Sequence, residues 1–314
     1  MKVAIVLPTL NRPHFLRRAM RWYRDNGRDE IGVIVVDSSP DQKMRDENHA
    51  AIANNGEYLE TPHLFNADTG LSSFGQALEI GGKCAVARGA AYILHAGDDD
   101  FVLPDGILAC AAAMDDSDER VVGCVGKRLR FGMKGATGVP VAAHVIEYPP
   151  LHQGRVEDRL VAWFRASYTL QFAAVRAAAW GRAHQNMADM PTWYFGNEIF
   201  PNAHLLFQGK FVKIPALSVA FQVNPDRQFG FDRTSMYDLV VKDHGFSQTM
   251  GQARTRLRHD FGQAALDVFD RHFLPFFAQS VNTHTGDRPI RYEGLKGVAA
   301  PPGCEAIWEA LKGE

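Results

Sequence analysis

Tyr92-Ile93-Leu94-His95-Ala96-Gly97-Asp98-Asp99-Asp100-Phe101 decides how this chain is read, because an apolar run that reads as a buried strand stops on three consecutive acids. Adjacent carboxylates repel, and nothing in a simple core compensates them. A cation that screens all three is the natural partner. Hard ions such as Mn2+ or Mg2+ take carboxylate oxygens together with substrate phosphates. The triplet Asp98–Asp100 is therefore a candidate metal-diphosphate site, weighed against a plain solvated acidic turn.

The flanking sequence repeats the same grammar. Val3-Ala4-Ile5-Val6-Leu7 ends at Pro8, and Ile31-Gly32-Val33-Ile34-Val35-Val36 ends at Asp37-Ser38-Ser39-Pro40, so both read as strands buried on two faces. Helical spacing of Phe15, Leu16, Ala19, Met20 and Tyr23 predicts a helix over 12–25, with Asn11 as candidate cap and Pro13 in its first turn. The pattern continues as helix 41–54, strand 57–60, helix 76–89, strand 91–95, helix 104–115 and strand 121–125. A glycine-rich hairpin region then runs to about 155. A helix, a strand over Leu170–Val175, a short helix, a helix ending at Gln208, and short strands at 212–214 and 217–221 follow. Alternating strands and helices imply a parallel sheet, whose ligands bind at the carboxyl ends of the strands. Thr9, Asn11, Asp37 and the acidic triplet all fall at those ends.

Composition bounds the alternatives. A chain of 314 residues, 46% hydrophobic, can bury one large α/β core. A formal charge of −2 disfavours nucleic acid as a partner. Lys127, Arg128 and Arg130 form a local basic patch, read first as a solvated face. Cys84, Cys110, Cys124 and Cys304 lack any Cys-x-x-Cys spacing, so reduced thiols and a cytoplasmic setting are expected. No stretch has the length of a membrane span, although contact with a membrane through a lipid-linked substrate stays compatible.

Four pieces in order resemble family 2 glycosyltransferases of the GT-A fold: Val6-Leu7-Pro8-Thr9-Leu10-Asn11-Arg12-Pro13; Val36-Asp37-Ser38-Ser39; Gly97-Asp98-Asp99-Asp100 with Pro104; and Gly196-Asn197-Glu198-Ile199, followed by Leu205 to Phe211 and Ile214-Pro215. Together they cover about residues 1–223. The resemblance implies a Rossmann-like, mostly parallel twisted sheet flanked by helices; beyond it, the pattern over 224–314 reads as a lid loop and a mainly helical C-terminal extension packed on the same domain. It implies an inverting, metal-dependent transfer of a sugar from a nucleoside diphosphate, UDP favoured, to a glycan, lipid-linked or small-molecule acceptor. It assigns Pro8, Thr9, Asn11 and Asp37 to the nucleotide, Asp98 and Asp99 to donor ribose or sugar, and the Mn2+ or Mg2+ ion to Asp100 with Asp98.

Two departures stand out. The family has an acid-Asp pair where this chain has Asn197-Glu198, and an Ala-Arg-Asn segment where it has Ser72-Ser73-Phe74-Gly75-Gln76. Glu198 is therefore the expected general base. Pro201 must lie in a helix's first turn, which puts Glu198 at or before the positive end of that helix dipole. Trp193, Tyr194 or Phe195 is a candidate sugar-stacking platform, weighed against core packing. Arg227 and the loop from Asn224 to Arg233 are a candidate lid over the phosphates, while His95 and His204 are expected to be structural. A non-catalytic sugar-nucleotide binder is the rival from another class. A nucleotidyltransferase is disfavoured because Pro8-Thr9-Leu10-Asn11-Arg12 lacks a glycine-rich phosphate loop.

Overall fold

A computed structural model describes residues 1–52, 56–61, 65–66, 71–72, 74–133, 140–149, 151–166, 170–190, 195–223, 246–283 and 297–312. Apolar runs that end on Pro or polar residues form β1 (Val3–Thr9) and β2 (Ile31–Asp37), and β3 (Glu57–Glu60) lies partly exposed beside β2. A short antiparallel pair follows, β4 (Phe65–Asn66) and β5 (Leu71–Ser72). The other strands are β6 (Tyr92–His95), β7 (Phe101–Val102), β8 (Val121–Met133), β9 (Pro140–Ile146), β10 (Ala174–Arg176) and β11 (Lys210–Val223). Among the described residues, nine of these strands build one sheet in the order β3-β2-β1-β6-β10-β8-β11-β7, with β9 beside β8. β1 pairs parallel with β2 on one side and with β6 on the other. The chain thus winds outward in both directions from the β1/β6 boundary, and that topological switch opens a crevice at the carboxyl ends of the strands.

Helices cover both faces. One face carries α3 (Phe74–Ala87), α5 (Val156–Ala166), α6 (Ala177–Ala183), α7 (Phe200–Gln208), α8 (Phe246–Phe261) and α9 (Gln263–Thr283). The other carries α1 (Pro13–Asn26), α4 (Pro104–Asp115) and α10 (Glu305–Lys312), while α2 (Gln42–Ile52) packs beside α1. α10 reaches the sheet through Trp308, whose ring centroid lies 5.8 Å from that of Phe131. On the opposite face Phe269 and Phe273 of α9 are buried with Phe164 and Phe195. No helix among the described residues is long and apolar enough to cross a membrane.

Several local expectations change. Arg12, not Asn11, holds the N-cap position of α1, and its side chain makes no cap bond. Asn11 instead turns the chain with φ of 54°, a left-handed conformation that Asn tolerates better than most residues. The strand expected over 170–175 is confined to Ala174–Arg176. The two strands expected at 212–214 and 217–221 are one strand, irregular between Lys213 and Leu217, because Pro215 has no N–H for the ladder. The strand expected at 121–125 runs on to Met133 and pairs with β9, whose connecting residues 134–139 lie outside the described set.

Candidate active site

Strand register brings the predicted residues to one edge. Thr9 is paired with Asp37 at the ends of β1 and β2, and Val6 with His95, three residues before Asp98. Pro8 is the penultimate residue of β1 and lies buried between β2 and the switch. Backbone bonds then tie the loops together. Ser38 N–H donates to the Thr9 carbonyl at 3.0 Å, and Asn11 N–H donates to Ser39 Oγ at 2.8 Å.

The acidic triplet finds its cation inside the chain. Arg12 holds Asp98 through Nη1 at 2.7 Å and Asp99 through Nη2 at 2.6 Å, and Thr9 Oγ1 donates to Asp98 Oδ2 at 2.7 Å. Arg18, 2% exposed, donates to the Asp99 carbonyl at 3.3 Å and to Gln222 Oε1 at 2.6 Å. Asp100 accepts the N–H of Gly97 at 2.8 Å and of Gln222 at 3.2 Å. Burial works against charge on Arg12, but Asp98, then Asp99 and Asp100, outweigh it and raise its pKa. Burial pushes the Asp98 carboxyl up to about 6, with Arg12 pulling down and Asp99 pushing up. Burial, reinforced by Asp99, raises Asp100 well above the ordinary carboxylate range.

This arrangement fits a divalent ion of restricted kind. A Cβ on Gly97 would stand 2.7 Å from Asp99 Oδ1 and 2.9 Å from Asp100 Oδ2, so only glycine leaves the space that these two oxygens share. Two hard donors at one mouth suit Mn2+ or Mg2+ completed by phosphates and water. Asp98, the other expected ligand, is 2% exposed and already held by Arg12 and Thr9. Among the described residues no three His, Cys, Asp or Glu side chains converge as a closed cage.

Asp37 is 0% exposed and accepts three bonds, each at 2.8 Å, from Ser39 N–H, Asn48 Nδ2 and Tyr58 Oη. Those donors come from the loop after β2, from α2 and from β3, so this carboxylate organises the corner that the resemblance assigns to a nucleobase.

Glu198 lies half-buried in a π-helical turn, Phe195–Ile199, that leads directly into α7, with Pro201 in the first turn of α7 as expected. Single π-turns recur at functional sites. The turn packs on the start of α3, where a Cβ on Gly75 would collide with Asn197 Oδ1. Neighbouring Phe74 meets His95, at the end of β6, with ring centroids 5.5 Å apart. The turn carrying Glu198 therefore packs on the helix that also touches the end of β6. Asn197 is 2% exposed, and its amide nitrogen and oxygen both lack a hydrogen-bond partner. Phe195 enters the core, 5.1 Å from Phe273 and 5.7 Å from Phe246 between centroids, so it is no sugar platform. Trp193, Tyr194, Arg227 and the loop 224–233 lie outside the described residues.

Sequence reasoning left Arg12, Arg18 and Gln222 without roles. The available signal was an arginine, Arg18, on the otherwise apolar face of α1. The basic patch dissolves: Arg128 is buried with its guanidinium 4.3 Å from the Tyr148 ring centroid, and Lys127 pairs with Glu147 at 3.1 Å.

Beneath the site His95, His184 and His204 are buried, and burial lowers their pKa values to about 3, about 3 and about 4. Each folded value is below the unfolded one, so the stability that these rings contribute is present above about pH 6.5 and is lost as pH falls. His184 stacks on Trp180 at 3.9 Å between centroids. Between pH 7 and pH 5 this one ring should cost about 2 kcal/mol. Urea melts at both pH values should show wild type losing that much more than His184→Phe, and equal losses would refute burial of the neutral ring.

The structure is similar to crystal structures of S. aureus TarS. The likeness to TarS has a TM-score of 0.58 at 15% identity, covering 90% of this chain and 45% of that one. For TarS residues 1–349 in complex with UDP-GlcNAc the values are 0.56, 14%, 90% and 80%, and in complex with UDP they are 0.53, 14%, 88% and 72%. This chain thus spans less than half the length of TarS. No protein-family profile and no curated protein matches its sequence. Sheet order, the acidic loop at the switch point and this likeness agree: the chain carries the GT-A glycosyltransferase fold.

Proposed function

We propose that the protein is a metal-dependent, inverting glycosyltransferase that moves a sugar from a nucleoside diphosphate, UDP favoured, to an acceptor hydroxyl in glycan or polysaccharide synthesis. The observation that carries this reading is the Thr9–Asp98 bond at the β1/β6 switch, supported by the packing of the turn bearing Glu198 against the start of α3, whose Phe74 meets His95. TarS structures that hold UDP and UDP-GlcNAc share the fold over 88% and 90% of this chain, which favours a uridine donor.

In this reading Pro8, Thr9 and Asn11 border the nucleotide, and Asp37 keeps that corner in shape through its three donors. Asp100, with Asp98 and Asp99 beside it, would hold Mn2+ or Mg2+. The bound ion would supply electrostatic stabilisation to the departing diphosphate. Glu198 takes the proton of the acceptor hydroxyl as that oxygen attacks the anomeric carbon opposite the diphosphate, which inverts the centre.

Thermal melts with UDP-sugars and Mn2+ test the reading. A ligand at 100 times its Kd stabilises the native state by about 2.7 kcal/mol, which is readily seen. The Mn2+-dependent part of the shift should vanish in Asp100→Asn. An equal shift in that variant would remove Asp100 from the metal, and no shift with any sugar nucleotide would end the proposal.

A further inference from the structure

We propose that Arg12 is an internal counter-cation which occupies the acidic loop until a divalent ion and a nucleoside diphosphate arrive together, so that its release couples the two binding events. The inference rests on the function proposed above and names the regulation of that same site.

Its basis is competition for the same carboxylates. The Arg12 fork grips Asp98 and Asp99 at 2.7 and 2.6 Å, with its side chain 14% exposed. With Arg18 buried against the same loop, two guanidinium groups already face the three aspartates. A divalent ion added to that set would leave an excess positive charge in a low-dielectric pocket, so the metal alone binds poorly. A diphosphate reverses the balance. Its oxygens offer the planar guanidinium a bidentate partner, and Asp98 and Asp99 are freed toward the metal. Arg12 is placed for such an exchange, directly after left-handed Asn11 and with its guanidinium 4.1 Å from the Phe15 ring centroid, a shelf that keeps it near the loop.

Coupling is reciprocal, so the diphosphate must tighten Mn2+ by the factor by which Mn2+ tightens the diphosphate, typically about 5–150-fold. Removing the guanidinium should then act with opposite signs: tighter Mn2+ alone, weaker UDP alone. A residue that merely supports the fold would weaken both. Mn2+ titrations read by electron paramagnetic resonance, and UDP calorimetry without metal, should be run on wild type, R12Q and R12K, with circular dichroism to report folding. R12Q should bind Mn2+ alone about tenfold tighter and UDP alone about tenfold weaker than wild type, a factor within the usual coupling range. R12K retains a charge but cannot fork across two carboxylates, so it should also bind Mn2+ tighter than wild type, and it carries the test if R12Q does not fold. Folded variants that bind Mn2+ alone no tighter than wild type overturn the coupling, provided wild type takes up Mn2+ with UDP. If neither wild type with UDP nor the variants take up Mn2+, the metal-diphosphate reading itself falls.

Discussion

Glu198→Gln should leave UDP affinity near that of wild type and lower turnover by about 10²–10⁴-fold, the usual span for a general base. Gln keeps the size and the hydrogen-bonding reach of the side chain but cannot accept a proton. The substitution sits in the π-turn before α7, on a different element from the acidic loop proposed to hold the metal and diphosphate, so binding and chemistry should separate. Single-turnover kinetics with saturating donor measures the chemical step directly. A variant that turns over normally would retire Glu198 and return the non-catalytic binder to first place.

Asp37→Ala should cost about 3–5 kcal/mol of stability, the range for breaking a buried charged hydrogen-bond network. It would orphan the Ser39 N–H, the Asn48 amide and the Tyr58 hydroxyl at once, in a place with 0% exposure. Urea unfolding gives the stability directly. A loss below about 1 kcal/mol would mean that the three donors find other partners easily, and would restore the simpler view of Asp37 as a nucleobase contact.

The fold was legible because the two central early strands are short apolar runs cut off by Pro or acid, Val3–Leu7 and Ile31–Val36. Where a strand is long and bulged the pattern breaks up, and β11 read as two pieces on either side of Pro215. The candidate site was legible as a set of strand ends, but not in its electrostatics. Three consecutive aspartates announced an unmet need for positive charge, yet no local rule says that Arg12, 86 residues or more away in sequence, meets it. Arg18 and Gln222 were hidden for the same reason, since their partners exist only after β1, β6 and β11 have assembled. Asn11 read as a helix cap because Asn is common there, whereas its left-handed backbone serves the turn that aims Arg12.

The described parts of the C-terminal extension cover both faces, with Phe269 and Phe273 of α9 against Phe164 of α5 on one side and Trp308 of α10 against Phe131 of the sheet on the other. Trimming the chain after β11 would therefore strip apolar cover from both sides at once, and no single solubilising patch would repair it. Any replacement for this extension would have to clasp two surfaces simultaneously.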